Sequence, residues 1–92
     1  MYELKISKAF KKSLKRMEKR GYNLSLLAEV VEKLQKGEKL PPKYKNHELT
    51  GNHNGNMECH IKPDWLLIYK IEDNILILTL IETGTHSDLF NM

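Results

Sequence analysis

The sequence is poor in cysteine and in long apolar runs, and each scarcity excludes a class of protein. A single cysteine, Cys59, cannot form an internal disulfide, so nothing favours an oxidising compartment. The longest apolar runs, such as residues 75–78, are far too short to cross a bilayer. Residues 1–5 lack the basic and then apolar pattern of a secretory signal. We therefore expect a cytoplasmic protein that does not associate with membranes.

Bulk composition favours a small folded domain. Of the 92 residues, 40% are hydrophobic and 29% are charged, which is typical of a globular protein rather than of a disordered chain. A chain of this length can bury one modest core but not two. We therefore expect residues 1–92 to form a single domain.

Lysine and histidine are segregated along the chain. Residues 1–45 carry 13 Lys and Arg against 5 Asp and Glu, whereas residues 46–92 carry 2 against 7. The first 46 residues contain no histidine. This distribution favours a basic docking surface joined to a half with different chemistry. A lysine-rich helix face that is merely solvated is the alternative, and the lysines alone do not decide between the two.

Sequence patterns in the first half predict a strand followed by a helix. Residues 2–6 alternate as a short strand, and Ser7 can cap a helix that continues to about Arg20 and stops at Gly21. The apolar residues of this helix recur on one stripe: Phe10, Leu14 and Met17. Its basic residues must then face outward: Lys8, Lys11, Lys12, Lys15, Arg16, Lys19 and Arg20.

A second helix is predicted from Asn23 or Ser25 to Gly37. Its buried residues are expected to form one stripe that is widened on one side: Leu24, Leu27, Ala28, Val31 and Leu34, with Leu26 and Val30. Because the connection at residues 21–22 is tight, the two helices should form an antiparallel hairpin.

The second half is typical of a β-meander. Residues 39–43 contain two prolines and should run extended. A weak strand at residues 48–50 is followed by strong turn residues at 51–55. The further predicted elements are strands at residues 56–61, 65–71 and 75–81, a connection at 72–74, a break at 83–85 and one turn of helix at 86–90. The whole order predicts an α+β protein in which the N-terminal strand and helical hairpin pack on one face of a small, mainly antiparallel sheet.

Several ionisable residues can converge on the sheet face that the helices leave open. Glu58 and His60 are two apart on a strand and therefore project from the same face. Asp64 begins the next strand, His86 follows the last strand, and His47 comes from the segment that enters the sheet. Imidazole changes its charge near neutral pH, so such a group suits proton transfer. The alternative is that these histidines are only surface or hydrogen-bonded residues.

A metal site is not expected. Cys59 and His60 are adjacent on a strand and therefore point to opposite faces, and the sequence has no C-x-x-C or H-x₃-H spacing. We therefore expect neither a metal nor another cofactor.

Three blocks of the second half resemble a known family. They are Y-K-N-H-E-L at residues 44–49 with Gly51 after it, E-C-H-I-K-P-D-W-L-L-I-Y at residues 58–69, and T-G-T-H-S-D-L-F at residues 83–90. In this order and spacing they resemble the YafQ-like toxins of the RelE/ParE superfamily, which are mRNA interferases of type II toxin–antitoxin systems. The predicted helical hairpin fits the same family.

The resemblance implies a ribosome-dependent endoribonuclease that inhibits translation. The ribose 2′-hydroxyl would attack the adjacent phosphate in the ribosomal A site and leave a 2′,3′-cyclic phosphate and a 5′-hydroxyl. The family pattern implies active-site roles for His47, His60, Asp64 and His86. We expect His86 to be the general acid and His60 to bind or stabilise the phosphate. The base is either His47 or Asp64.

The same resemblance implies contacts with substrate and partners. Glu58 lies among the expected substrate contacts, and Trp65 and Phe90 are candidates to stack on or support bases. Core packing is an equal alternative for Trp65. The basic residues expected to bind ribosomal RNA phosphates are Lys8, Lys11, Lys12, Lys15, Arg16 and Lys19. The expected partners are a cognate antitoxin, the 70S ribosome and mRNA, and the protein should be a monomer when free and a hetero-oligomer with its antitoxin.

One position departs from the family pattern. Many relatives carry an arginine four residues before the final histidine, where this chain has Glu82. The second half then offers only Lys62 and Lys70 as permanent cations, so protonated histidines or a helix lysine must stabilise the phosphate. Two alternatives stay open: a non-catalytic toxin on the same scaffold, and a basic module that only binds RNA or protein. The histidine set favours the nuclease.

Overall fold

The computed structural model describes residues 1–50 and 55–90 and confirms the predicted α+β class. Its elements in chain order are β1 (Glu3–Ile6), α1 (Lys8–Lys19), α2 (Leu24–Gln35), a 3₁₀ turn (Pro42–Tyr44), β2 (His47–Glu48), β3 (Met57–Lys62), β4 (Trp65–Glu72), β5 (Ile77–Gly84) and α3 (His86–Phe90). The strands form one sheet in the order β1-β5-β4-β3-β2. Only β1 pairs in parallel, with β5, and the other described pairs are antiparallel. None of the described helices is long and apolar enough to span a membrane.

Side-chain caps fix where the two long helices begin. Ser7 is the N-cap of α1, as predicted, and its hydroxyl oxygen accepts a hydrogen bond from the Phe10 amide. The same hydroxyl donates to the Ile81 carbonyl at 2.6 Å and so ties the helix start to β5. Of the two predicted starts of α2, Asn23 is the cap, because its Oδ1 accepts from the Ser25 amide at 3.1 Å.

The helices cover one face of the sheet, and the buried side of α2 differs from the predicted stripe. Leu27, Val30 and Leu34 are buried, whereas Ala28 is exposed. The packing of α2 across β3 turns the helix so that Val30 meets the core and Ala28 does not. The core joins both helices to the inner residues of the strands: Phe10, Met17, Leu27, Val30, Leu34, Leu40, Tyr44, Cys59, Trp65, Leu67, Tyr69, Leu78 and Leu80.

Several predicted boundaries in the second half were wrong. Ile75 and Leu76 are 54% and 56% exposed in a turn, where Leu76 has φ +55°, so β5 begins only at Ile77 and runs through Gly84. The segment at residues 39–43 is not fully extended, because Pro42 begins a 3₁₀ turn. The weak strand begins one residue earlier than predicted, at His47. Most of the predicted turn at 51–55 lies outside the described residues.

A β-bulge in β5 decides which face each of its last residues occupies. Ile68 pairs with Glu82 and Tyr69 pairs with Leu80, so Ile81 is the extra residue. Leu80 and Thr83 therefore both face the helices, although strict alternation would separate them. Glu82 consequently lies on the open face, opposite Ile68, which in turn pairs with Glu58.

Candidate active site

Three histidines form a row on the side of the sheet away from the helices. His47 opens β2, His60 lies in β3 and His86 opens α3. The ring centroids of His47 and His60 are 6.3 Å apart, and those of His60 and His86 are 5.7 Å apart. The residues that were expected to converge therefore do so, with His60 in the centre.

A buried carboxylate joins the first two histidines. Glu58 is 5% exposed, and its Oε1 lies 3.2 Å from His47 Nε2 and 3.5 Å from His60 Nε2. The geometry follows from the strands, because His47 is the register partner of Glu58 and His60 lies two residues further along β3. One oxygen atom of Glu58 thus lies within reach of both imidazoles.

Backbone carbonyls fix the orientation of the same two rings. His47 Nδ1 lies 2.8 Å from the Lys45 carbonyl oxygen, and His60 Nδ1 lies 3.3 Å from the Pro63 carbonyl oxygen. Because a carbonyl can only accept, Nδ1 carries the proton in both rings. Each ring therefore turns its Nε2 to Glu58, and Nε2 can donate to the carboxylate only when the ring carries a second proton.

The third histidine pairs with a different carboxylate. Asp64 Oδ1 accepts from the His86 amide at 2.9 Å and faces His86 Nδ1 at 2.6 Å. The hydrogen bond from the His86 backbone, and then that from its side chain, hold the pKa of Asp64 below its ordinary value. An ionised Asp64 can only accept, so it places the proton of the ring on Nδ1 and leaves Nε2 for substrate.

Helix α3 positions His86 through a capping box. Thr85 Oγ1 accepts from the Asp88 amide at 3.2 Å, and Asp88 Oδ2 accepts from the Thr85 amide at 2.9 Å. Arg20, the C-cap of α1, donates to both Asp88 oxygens at 2.6 and 3.0 Å, and Arg16 Nη1 lies 3.6 Å from Asp88 Oδ1. The Arg20 guanidinium holds the pKa of Asp88 well below its usual range. The T-x-x-D pattern at 85–88 signals this cap in the sequence, but nothing local to it reveals its arginine partner 68 residues away.

Gly84 allows α3 to pack close to the end of β5. A Cβ on Gly84 would lie 2.9 Å from Asp88 Cβ and 3.1 Å from Asp88 Oδ2. The Asp88 side chain is held by its hydrogen bonds and cannot yield without moving α3. Gly84 therefore belongs to the residues that position His86.

Trp65 is a core residue, so of its two predicted alternatives the structure shows core packing. Its side chain is fully buried, packs edge-on against Tyr22 with centroids 5.1 Å apart, and donates through Nε1 to Thr83 Oγ1 at 2.9 Å. It lies on the helix side of the sheet, so no base can reach it. Phe90 is half-buried at the end of α3.

Two buried hydroxyls that the sequence reasoning missed join α1 to the strands beneath the site. Ser13 Oγ donates to the Phe10 carbonyl at 3.0 Å and accepts from the Thr83 amide at 3.1 Å. Thr83 Oγ1 donates to the Leu66 carbonyl at 2.6 Å while it accepts from Trp65. This network fixes the end of β5 just before Gly84 and His86.

The predicted cationic residues of α1 are exposed on its outer side: Lys8, Lys11, Lys12, Lys15, Arg16 and Lys19. Arg16 is partly committed to Asp88, so the lysines supply most of the free charge of this surface. Cys59 faces the core, where burial and then the charge of Glu58 raise the pKa of its thiol to about 12. A neutral, buried thiol offers neither a nucleophile nor a metal ligand.

Known sequences match this chain over most of its length. Residues 2–91 match the family described as a bacterial toxin of type II toxin–antitoxin system, YafQ. An "mRNA interferase toxin YafQ" of Escherichia coli (strain B / BL21-DE3) is 35% identical over 96% of this chain and 95% of its own length. The protein of that name from strain K12 is 47% identical over 51 residues, which are 55% of this chain and 53% of that relative.

Solved structures share the fold. A metal-bound toxin from Helicobacter pylori superimposes with a TM-score of 0.91 at 44% identity, over 98% of this chain and 100% of that one. The YafQ chain of the Escherichia coli DinJ–YafQ complex gives 0.89 at 34% identity, over 98% and 99%. Among residues 1–50 and 55–90 of this chain, no group of three His, Cys, Asp or Glu is arranged to hold a metal ion.

The family match spans residues 2–91, and the structural likeness covers 98% of this chain. This protein therefore belongs to the YafQ family of bacterial toxins of type II toxin–antitoxin systems.

Proposed function

We propose that this member of the YafQ family is an mRNA interferase that cleaves mRNA in the A site of the translating ribosome, in the cytoplasm. The observation that carries the proposal is the row of His47, His60 and His86, in which each Nδ1 has a fixed acceptor. Three imidazoles with defined tautomers, side by side on an open face, suit a reaction that both removes and supplies a proton. The names of the curated relatives support the same activity.

His47 is the base in this mechanism. Its side chain is 50% exposed, and Nε2 is the ring nitrogen without a carbonyl partner. A proton taken from the ribose 2′-hydroxyl onto Nε2 lies next to Glu58 Oε1, which stabilises the imidazolium. Asp64 is the less suitable base, because its Oδ1 already accepts two hydrogen bonds from His86. Its role is to position His86.

His86 is the general acid. Protonated His86 donates from Nε2 to the departing 5′-oxygen, while Asp64 at Nδ1 stabilises the imidazolium before transfer. The products are a 2′,3′-cyclic phosphate and a 5′-hydroxyl.

His60, between the other two rings, contacts the phosphate. Its side chain is 16% exposed, so it offers only one edge to substrate, and its ring is held by Pro63 and Glu58. Both ring nitrogens face protein acceptors, so a protonated His60 acts on the phosphorane through its positive charge, which stabilises the charge that develops there. The role matters here because Glu82 occupies the position of the family arginine and lies on the open face.

The surface of α1 docks the protein on the ribosome. Its exposed lysines bind ribosomal RNA phosphates, and the ribosome then holds mRNA and toxin in reactive geometry. Charge reversal at Lys11, Lys12 and Lys15 is therefore expected to weaken ribosome binding and to flatten its salt dependence. Sedimentation of toxin with 70S ribosomes at several salt concentrations measures both. Unchanged binding would contradict this docking surface.

The antitoxin is a second partner. The Escherichia coli relative forms a complex with DinJ. An acidic or amphipathic segment of a cognate antitoxin that folds on binding suits the basic α1 surface, and toxin that is free of it is a monomer.

The decisive experiment maps cleavage ends on an mRNA in a reconstituted translation reaction, with and without ribosomes. We expect cuts within A-site codons, with cyclic phosphate ends, only on translated mRNA. Equal cleavage of naked RNA would contradict ribosome dependence, and an inactive wild-type protein would leave the alternative of a toxin that binds without cutting.

A further inference from the structure

A cleft of about 240 Å³ opens beside the central histidine. It lies between α2, the 3₁₀ turn and the corner that joins β3 to β4. His60 forms part of its wall, together with Pro63. The cleft therefore continues directly from the row of histidines, and a ligand on His60 extends into it.

Three lysines face this cleft. Lys43 and Lys45 come from the segment around the 3₁₀ turn, and Lys62 comes from the end of β3. Lys62 is one of only two lysines in residues 46–92, and Glu29 of α2 is the single carboxylate in the lining. Positive charge therefore exceeds negative charge here, next to a half of the chain that is otherwise acidic.

The walls of the cleft also hold the catalytic rings. Lys45 has a left-handed backbone, φ +46°, which is uncommon for a residue other than glycine, and its carbonyl accepts from His47 Nδ1. The Pro63 carbonyl faces His60 Nδ1 in the same way. The Lys43 ammonium lies 5.1 Å from the centre of the Tyr44 ring, which holds the cation at the cleft by a cation–π contact. The strained backbone thus serves both the base and the cleft.

We propose that this cleft, lined by Lys43, Lys45 and Lys62, binds the phosphate and ribose of the nucleotide next to the scissile phosphodiester. The inference rests on the proposed function. The cleft is smaller than the 300–1,000 Å³ or so that is usual for drug-sized ligands, which suits a sugar and a phosphate. Besides the His60 ring, the lining contains one aromatic ring, that of Tyr44, which is buried and cannot stack on a base. The cleft therefore supplies affinity and register rather than sequence specificity.

The first test measures binding of a short single-stranded RNA with 2′-O-methyl groups throughout, which cannot be cut by 2′-oxygen attack. Two lost phosphate contacts flatten the log–log salt dependence by about 1.4. We therefore expect the affinity advantage of wild type over the double variant Lys43→Gln/Lys62→Gln to shrink about sevenfold between roughly 50 and 200 mM salt. The matched control is Lys5→Gln/Lys36→Gln, with Lys5 on the opposite edge strand and Lys36 beyond the far end of α2. An unchanged slope in the first double variant would overturn the proposal.

A gain-of-affinity variant separates binding from mere damage to the fold. Glu29 is exposed on α2, and its carboxylate opposes an RNA phosphate in the cleft. Glu29→Gln should tighten binding of the same RNA about threefold. Glu3→Gln, which removes an equal charge on β1, should leave binding unchanged. Weaker or unchanged binding by Glu29→Gln would argue against a phosphate in this cleft.

Neutral methylphosphonate linkages locate the phosphate. A neutral linkage at one position of the RNA should lower the affinity of wild type. At that position the lysine double variant should show no further loss of affinity. Equal losses of RNA affinity by both proteins at every position would overturn the proposal. It would also be overturned if the double variant bound RNA like wild type and lost only antitoxin binding, because the cleft would then belong to the antitoxin.

Cleavage of translated mRNA distinguishes the two proposals. The double variant should raise KM several-fold with kcat near that of wild type. A wild-type protein that does not cleave, but whose RNA binding depends on these lysines, would overturn the nuclease and support the cleft. A wild type that cleaves, with the variant matching it in both KM and salt slope, would overturn the cleft and support the nuclease.

Discussion

The two carboxylates of the site differ in how they hold their histidines. Glu58 is buried within the sheet and serves His47 and His60, whose positions follow from the pairing of β2 with β3. The Asp64 side chain is 66% exposed and serves only His86, which belongs to a five-residue helix outside the sheet. His47 and His60 are thus held by the pairing of β-strands, whereas His86 depends on a short helix and on the residues that fix it.

This difference assigns separate structural supports to the base and the acid. The position of His86 depends on Asp88, and Asp88 depends on Arg20 at the end of α1. The position of His47 depends on Lys45 and Glu58 and involves neither α1 nor α3. Damage to α3 should therefore impair the acid while the other two histidines stay in place.

The largest effect is expected for His86→Ala. Loss of the general acid should lower the cleavage rate on translating ribosomes by about 10³-fold, because proton transfer to the leaving oxygen contributes on the order of 10²–10⁴. Ribosome binding should stay near the wild-type value, since His86 is not among the basic residues of α1 that are proposed to bind ribosomal RNA. Single-turnover cleavage and ribosome sedimentation measure the two, with Ser87→Ala as the control on the same helix. Cleavage that is retained in His86→Ala would remove the acid assignment.

The paired substitutions Asp64→Asn and Glu58→Gln compare the two carboxylates directly. Asp64→Asn should lower the cleavage rate about 10²-fold with little change in stability, because an exposed amide keeps the shape but loses the charge behind His86. Glu58→Gln should lower both the cleavage rate and the free energy of unfolding, the latter by about 1–3 kcal/mol, because a buried group loses a partner. Urea unfolding and cleavage assays on both proteins provide the test. Equal stability losses would show that the contrast in burial does not matter.

Gly84→Ala tests the support of the acid without touching an ionisable group. The added Cβ would lie 2.9 Å from Asp88 Cβ, so α3 must shift and carry His86 with it. A displacement near 1 Å costs up to about 10²-fold in rate, and we expect a loss of roughly 10- to 100-fold. NMR shifts of the three histidine rings should change most at His86. Comparable changes at His47 would mean that the two halves are not separately supported.

The smallest effect is expected for Asp88→Asn, which should lower the free energy of unfolding by an amount that depends on pH. The folded-state pKa of Asp88 is lowered by Arg20, so its stabilising contribution is present above the ordinary range of a carboxyl group, near pH 4, and disappears as the pH falls. Because the Arg20 side chain is 41% exposed, solvent screens the ion pair, and cap and pair together should contribute about 1–2 kcal/mol at neutral pH. Urea unfolding at pH 7 and pH 3 should show the gap between the two proteins narrowing at the lower pH. A gap that widens toward acid would contradict the assignment.

Local signals were sufficient for much of the fold. Ser7 was identifiable as a cap from its own side chain, whereas Asn23 was only one of two predicted starts of α2. Glu58 and His60 were placed on one face by the two-residue repeat of a strand. Ile75 and Leu76 misled the prediction, because apolar side chains favour a strand although the chain turns there. Trp65 shows the same limit, since an aromatic residue beside a site can belong to either face of the sheet.

The sequence by itself determined where helices begin, which strand residues alternate, and which side chains are able to transfer protons. These properties depend on backbone preferences and hydrogen bonds that span a few residues. Only the tertiary structure decided that His47 faces Glu58, that a bulge at Ile81 turns Glu82 to the open face, and that Arg20 holds Asp88. Each of these contacts joins residues that are distant in sequence, so it depends on how the whole chain packs and on no single segment.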